Sequence, residues 1–103
     1  IPLSLVGIED NTTEVPTNFR MGNASPNPFN PQTTFTLDLP NSGNLQISLF
    51  DSRGSLIQTV FNGMKEAATH RFIIERSGLS SGVYFIQAIF GNQQLVQKIL
   101  LLK

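Results

Sequence analysis

Apolar and polar residues alternate with a period of two over most of the chain beyond residue 32. In the first such segment Phe35, Leu37 and Leu39 fall on one face and polar residues fall on the other, as in a half-buried β-strand. The segments that predict strands are 33–39, 44–50, 55–61, 70–75, 82–90 and 93–102. No segment shows a sustained helical period. The pattern therefore predicts an all-β protein, an antiparallel β-sandwich of about seven short strands.

Turn-forming residues separate these segments. Asp51 and Gly54 occupy the first and fourth positions of a four-residue turn, where an aspartate and a glycine are favoured. The Asn-Gly pair at 62–63 predicts a second turn, followed by an irregular connection over residues 64–69. The Gly-Asn pair at 91–92 predicts a tight hairpin between the last two strands.

The first 24 residues have no sustained period and are interrupted by turn-forming residues such as Gly7 and Pro16. We expect residues 1–24 to be a linker or the tail of a preceding domain, with Phe19 and Met21 in a short first strand. Residues 25–103 then form the sandwich. Because the chain begins with Ile1, we expect it to be a fragment of a longer protein.

Residues 25–31, Ser-Pro-Asn-Pro-Phe-Asn-Pro, form the most distinctive segment of the chain. Three prolines fix φ and remove three backbone donors, so that neither a helix nor a central strand can pass through. We expect a stiff, polyproline-like segment with one large apolar side chain, Phe29, that packs at one end of the sandwich.

A second motif, Leu-Ser-Ser-Gly-Val-Tyr at residues 79–84, places the single tyrosine just inside a strand and two residues after a glycine. This spacing matches a tyrosine corner, in which the hydroxyl bonds to backbone a few residues upstream. We expect Tyr84 to be mostly buried, with its hydroxyl bound to the backbone near Ser80.

Composition narrows the possible functions. The 103 residues are enough for one domain, and they include no cysteine, which excludes disulfides and thiolate chemistry. Seven basic residues balance seven acidic ones, so no net field favours nucleic acid or an anionic membrane surface. The longest apolar run, residues 99–102, is far too short for a membrane helix.

Catalytic and metal-binding groups are scarce. The one histidine, His70, begins a predicted strand and lies in no nucleophile motif, so we expect an ordinary solvated side chain. Asp51 is explained by its turn, because the oxygen-rich spacing of a calcium loop is missing. The carboxylates are Glu9, Asp10, Glu14, Asp38, Asp51, Glu66 and Glu75, and only the first two are adjacent, within the predicted linker. We expect no enzyme activity, cofactor or metal.

Phenylalanine is the main aromatic residue, with eight copies and no tryptophan. We expect most of these rings to pack in the core or at strand ends, and not to form a flat platform for sugars. The residues concerned are Phe35, Phe50, Phe61, Phe72, Phe85 and Phe90.

Several separated motifs, taken together and in this order, resemble the C-terminal sorting domain of proteins exported by type IX secretion. The resemblance covers about four fifths of the chain, from Met21 onward. The matching residues are Pro26, Asn27, Pro28, Phe29, Asn30 and Pro31; Leu39 and Pro40; Asp51 and Gly54; Gly82 and Tyr84; and Lys98 with the final Leu100, Leu101, Leu102 and Lys103. Two positions depart from the family pattern: Ser25 replaces an aromatic residue and Gln97 a basic one.

The resemblance implies an immunoglobulin-like sandwich that serves as an address tag without catalysis. An outer-membrane translocon recognises such a domain, and a sortase-like peptidase often removes it, which releases the cargo or attaches it to the cell surface. The resemblance also implies that the parent protein ends at Lys103. The expected recognition element is the last strand, Lys98, Ile99, Leu100, Leu101, Leu102 and Lys103, through edge backbone groups and lysines. We expect core packing to be the larger role of its apolar residues, with either Ile99 and Leu101 or Leu100 and Leu102 in the core. Cleavage is expected within residues 9–24. We expect a secreted or surface-attached monomer without nucleic-acid partners or membrane insertion.

Two alternatives stay open. One is an accessory sandwich that binds carbohydrate or protein for a secreted enzyme, which an exposed aromatic patch or groove would favour. The other is a structural spacer related to the immunoglobulin-like domain of flagellar hook-capping proteins, which the proline and tyrosine motifs also resemble.

Overall fold

A computed structural model describes residues 16–76 and 78–102 of the chain. The described residues form seven strands and no helix. In chain order the strands are β1 (Arg20–Met21), β2 (Gln32–Leu39), β3 (Gly43–Asp51), β4 (Leu56–Lys65), β5 (Ala68–Glu75), β6 (Gly82–Phe90) and β7 (Gln93–Leu101). Within the described part, no helix is long and apolar enough to cross a membrane.

The strands form two antiparallel sheets. One sheet has three strands in the order β1-β2-β5, and the other has four in the order β4-β3-β6-β7. The last strand, β7, is therefore an edge strand, and among the described strands its ladder partner is β6. The predicted all-β antiparallel sandwich of about seven strands is confirmed.

The core lies between the two sheets and follows the alternation in the sequence. In β2 every second side chain is buried, and Phe35 stacks against Phe72 of β5 with ring centroids 5.7 Å apart. Because successive side chains of a strand point to opposite faces, β2, β3, β6 and β7 contribute alternate residues to this layer. The largest fully buried apolar side chains are Phe29, Phe35, Leu37, Leu39, Leu45, Ile47, Leu49, Ile74, Ile86, Ile99 and Leu101.

The amino-terminal residues of the described part also pack onto the sandwich. Phe19 is buried, and its ring centroid lies 5.5 Å from that of Phe90. Ala24 is buried in the same core, so packing extends before Ser25, where the sandwich was expected to begin. Residues 1–15, most of the expected linker, lie outside the described residues.

The turn predicted at residues 62–63 is wrong. These residues lie within β4, where Asn62 pairs with Gln46 and Gly63 with Leu45. The chain reverses at residues 66–67 instead. Turn propensity is local, whereas β3 extends back to Gly43 and supplies ladder partners that keep β4 extended through Lys65.

Two of the phenylalanines expected to pack in the core or at strand ends lie on the face of the four-stranded sheet that points away from the core. Leu49 and Ile86 are fully buried, and their neighbours Phe50 and Phe85 are only half-buried. Neither ring belongs to the core or to the residues that pack against it. The expectation is wrong for Phe50 and Phe85 because alternation along β3 and β6 gives the inner positions to other residues. Phe61, Phe72 and Phe90 pack against the core, as expected.

Candidate functional site

The motif around Tyr84 shapes the entry to β6. Tyr84 is buried, and its hydroxyl donates a hydrogen bond to the carbonyl oxygen of Ser80 at 2.6 Å, which confirms the predicted tyrosine contact. Gly82 has a φ of 150°. The backbone N–H of Leu79 donates to the carbonyl of Arg76 at 2.8 Å, which closes the loop between β5 and β6. The motif therefore positions β6, the strand on which β7 pairs.

The segment of residues 25–31 lies at one end of the sandwich. The backbone bends at residues 26–28 and 30–31, and does not form the polyproline-like run expected. The peptide bonds before Pro26, Pro28 and Pro31 are cis. Ser25 exchanges two backbone hydrogen bonds with Thr34, at 2.9 and 3.0 Å. The segment is thereby attached to the start of β2.

Phe29 connects this segment to the last strand. Its side chain is 1% exposed and belongs to the core, as expected for a residue that closes one end of the sandwich. Its backbone N–H donates to the carbonyl of Leu100 at 2.8 Å, and its carbonyl accepts from the N–H of Leu102 at 3.1 Å. These two bonds form a parallel bridge along the outer edge of β7.

Two side-chain amides extend this edge contact. The Asn27 carboxamide donates to the carbonyl of Lys98 at 3.2 Å and accepts from the N–H of Leu100 at 3.0 Å. The Gln97 carboxamide accepts from the N–H of Ala24 at 2.6 Å and donates to the carbonyl of Gly22 at 3.0 Å. We call these contacts, with the Phe29 bridge, the edge clasp: Gly22, Ala24, Asn27 and Phe29 bound to Gln97, Lys98, Leu100 and Leu102.

The edge clasp covers only part of the edge of β7. Four backbone groups that point away from β6 are bound: the carbonyl of Lys98, both groups of Leu100 and the N–H of Leu102. By the alternation of an antiparallel ladder, the outward groups of Gln94 and Val96 lie on the same side, and no described residue bonds to them. The edge that was expected to be open for recognition is thus closed over its final third.

The side chains of the last strand divide between the core and the surface. Ile99 and Leu101 are fully buried, Lys98 and Leu102 are exposed, and Leu100 is half-buried. Lys103 lies outside the described residues. The aliphatic pair that serves the core is therefore Ile99 and Leu101, while Lys98, Leu100 and Leu102 are accessible from outside.

Residues 23–102 match a protein family described as the secretion system C-terminal sorting domain. The chain belongs to this family. Its members are sorting signals of type IX secretion, and proteins that carry them are exported and then secreted or attached to the cell surface. The sorting domain therefore interacts with the type IX secretion machinery. No curated protein matches the chain at a significant level.

The sequence analysis did not identify a second set of candidate site residues, the apolar side chains on the outer face of the four-stranded sheet. The ladder registers place Leu56 beside Phe50, Phe50 beside Phe85, and Phe85 beside Lys98 in one row. Val96 lies in the next row, opposite Gln87. The signal was present in the sequence: β6 and the end of β7 are apolar at both sets of alternate positions, and a two-layer sandwich buries only one set.

The turn between β3 and β4 forms one end of this face. The Asp51 carboxylate accepts hydrogen bonds from the backbone N–H groups of Arg53 and Ser55, both at 2.9 Å, and lies 3.5 Å from the Arg53 guanidinium. The bond from Ser55, followed by those from Arg53, lowers the pKa of the Asp51 carboxyl below its ordinary value. Asp51 has a structural role in the turn, as expected.

The described residues offer no candidate metal-binding cluster. They contain no cluster of three or more histidine, aspartate or glutamate side chains placed to hold a metal ion. The Nε2 atom of His70 lies 2.8 Å from the carbonyl of Glu66, in the connection between β4 and β5. Asp38 accepts a hydrogen bond from the Thr69 hydroxyl at 2.8 Å and lies 3.7 Å from Arg20.

Proposed function

We propose that this sorting domain directs its parent protein through the type IX outer-membrane translocon by presenting the outward side chains of its last strand, Lys98, Leu100 and Leu102. The domain acts as a monomer and without catalysis. The supporting observation is the division of β7, in which Ile99 and Leu101 anchor the strand in the core while its alternate residues face outward. Since the edge clasp occupies the nearby backbone groups, side chains are better placed than backbone to bind a partner.

The first experiment tests whether the domain is sufficient for export. A periplasm-targeted reporter carrying the whole 103-residue chain at its carboxyl end is expressed in a bacterium with a type IX system and in a strain lacking the translocon. We expect the reporter in the medium or on the surface of the first strain and in the periplasm of the second. Equal distribution in both strains contradicts the proposal.

The second experiment tests the last strand. Deletion of residues 97–103 should stop export, but it also removes two core residues, so a surface substitution is needed. Lys98→Glu changes an exposed residue, and we expect about five-fold less export because a rim charge that favours association is reversed. Arg71→Glu, also exposed and within a strand but on the other sheet, is the matched control and should export normally.

We further propose that a sortase-like peptidase removes the domain or joins the cargo to the surface by cutting before Phe19. A peptidase needs extended, unpaired backbone. Phe19 is buried, Gly22 donates to the carbonyl of Thr36 at 2.9 Å, and Ala24 is part of the edge clasp, which disfavours cleavage at these residues. Mass spectrometry of the exported reporter should find its new carboxyl terminus within residues 9–18. An intact domain on every exported molecule contradicts cleavage.

A second candidate function is an accessory binding module for carbohydrate or protein. The observation that favours it is the half-buried Phe50 and Phe85, which lie side by side on the outer face. Retention of the chain on an insoluble polysaccharide, lost in Phe85→Ala, would support this alternative.

A further inference from the structure

The outer face of the four-stranded sheet is unusually apolar for a surface in contact with water. We call Phe50, Leu56, Phe85 and Val96 the outer apolar patch. Leu56 is 57% exposed and Val96 is 56% exposed, while the two rings are half-buried. An open groove of about 420 Å³ runs between these rings, Val96 and the turn at residues 51–54. Contiguous apolar patches of this kind mark interaction sites more often than isolated exposed residues do.

Packing in the core does not explain why these four side chains are apolar. None of the four is part of the core or packs against it, because the inner positions of the same strands are filled by other residues. A polar residue at any of these positions would leave the inner layer unchanged. The patch also spans all four strands, including both hairpins, so the sheet holds it as a rigid surface.

The charges around the outer apolar patch limit what can cover it. Lys98 stands at the end of the row formed by Leu56, Phe50 and Phe85, and no described carboxylate pairs with it. Arg53 lines the groove at the turn. The four strands carry a single carboxylate, Asp51, which is already bound within its turn. Asp51 lies 3.5 Å from the Arg53 guanidinium and offsets its charge, so Lys98 is the cation at the rim without a described carboxylate partner.

This charge pattern favours one type of occupant. A second copy of the domain would bring the same Lys98 and Arg53 to the contact and no free carboxylate from the same face. A neutral polysaccharide would stack on the rings but would leave Lys98 without a carboxylate partner. A protein surface with an apolar centre and carboxylates at its edge satisfies both features, because complementary charge at the rim adds orientation to apolar burial.

We infer that the outer apolar patch docks on an apolar, carboxylate-rimmed surface of the secretion machinery, with Lys98 meeting a carboxylate at its edge. The inference rests on the proposed function and extends it from the last strand to the whole outer face. It predicts that Val96, Phe85, Phe50 and Leu56 are needed for export although the fold does not need them.

The chain offers a closely matched pair of substitutions for the test. Val96 and Ile73 are both β-branched, both lie within strands, and are 56% and 50% exposed, but they lie on opposite sheets. Val96→Glu and Ile73→Glu are introduced into the exported reporter that carries the whole chain. We expect Val96→Glu to reduce export about ten-fold, since a charge enters a desolvated contact, and Ile73→Glu to leave export within two-fold of wild type. Thermal melts of both variants should agree within a few degrees.

The outcomes distinguish failure of the proposed sorting function from failure of the outer apolar patch as the docking face. If the wild-type reporter does not depend on the translocon, the proposed function fails. If the wild type depends on it and Val96→Glu exports as well as Ile73→Glu, only the docking face is overturned. Retention of the wild type on polysaccharide that Val96→Glu abolishes, or a concentration-dependent dimer that it dissociates, without loss of export, also overturns the inference. Loss of export with Lys98→Glu and recovery with Lys98→Arg supports the proposed carboxylate contact.

Discussion

Phe29 is the residue whose replacement best tests how the segment of residues 25–31 stabilises the sandwich. Its side chain is 1% exposed, whereas its backbone N–H and carbonyl bind Leu100 and Leu102. Phe29→Ala keeps both backbone bonds possible and removes only the ring. Large-to-small substitution at a fully buried phenylalanine costs about 3–5 kcal/mol, from lost burial together with the cavity that is left.

This cost is a large part of the stability of a small domain. Domains of this size unfold with a free energy of about 5–15 kcal/mol, so Phe29→Ala should remove roughly a fifth or more of it. For a domain of about 100 residues the expected drop in Tm is roughly 15–30 °C. Thermal and urea unfolding, followed by far-ultraviolet circular dichroism, measure both quantities.

Phe85→Ala provides the control, because it removes the same ring from the half-buried outer face. Partial burial limits its cost to about 1 kcal/mol. We expect Phe29→Ala to be much less stable than Phe85→Ala. The test depends on which variant loses more free energy of unfolding, and less on the size of either loss. Equal destabilisation by the two substitutions would refute the assignment of Phe29 to the core and Phe85 to the surface.

Three further predictions concern single contacts. Tyr84→Phe removes the hydroxyl that binds the Ser80 carbonyl and should cost about 1 kcal/mol in urea unfolding, with an unchanged spectrum. Gln97→Ala removes the partner of the Ala24 N–H and should cost about 1–2 kcal/mol and speed hydrogen exchange at that amide; unchanged exchange argues against the edge clasp. The lowered pKa of Asp51 stabilises the fold above the ordinary carboxyl value of 3.8 and ceases to do so as the pH falls through the lower folded value. Asp51→Asn should therefore flatten the fall in Tm between pH 6 and pH 2, and an unchanged slope contradicts this assignment.

The parts of the fold that depend on local pattern could be predicted from the sequence. The strand over residues 82–90 and the hairpin at residues 91–92 match β6 and its turn, where Gly91 has a φ of 63°. The Tyr84 contact was predictable because the hydroxyl reaches only four residues back along the chain. Alternation, turn residues and short-range hydrogen bonds are properties of neighbouring residues, so they can be recognised without a partner strand.

The candidate site could be predicted only in part, because it depends on distant contacts. Asn27 and Leu100 are 73 positions apart, and no local pattern shows that a carboxamide will bind the edge of a strand so far along the chain. The turn expected at residues 62–63 failed for a related reason, since the ladder with β3 outweighs local turn propensity. The outer positions of Phe50 and Phe85 could have been recognised, because a two-sided apolar strand must leave one set of side chains outside the core.

The edge clasp bears on how a sorting domain avoids unwanted partners. An edge strand presents unpaired backbone groups on which another strand can add. Here Asn27 and Phe29 bind outward backbone groups of Lys98, Leu100 and Leu102. Another strand can therefore pair with this part of the edge of β7 only if four hydrogen bonds break. The outer apolar patch needs no such rearrangement, because its side chains are already exposed. The recognition that we propose, through the outward side chains of β7, is therefore compatible with an edge that is closed over its final third against strand addition.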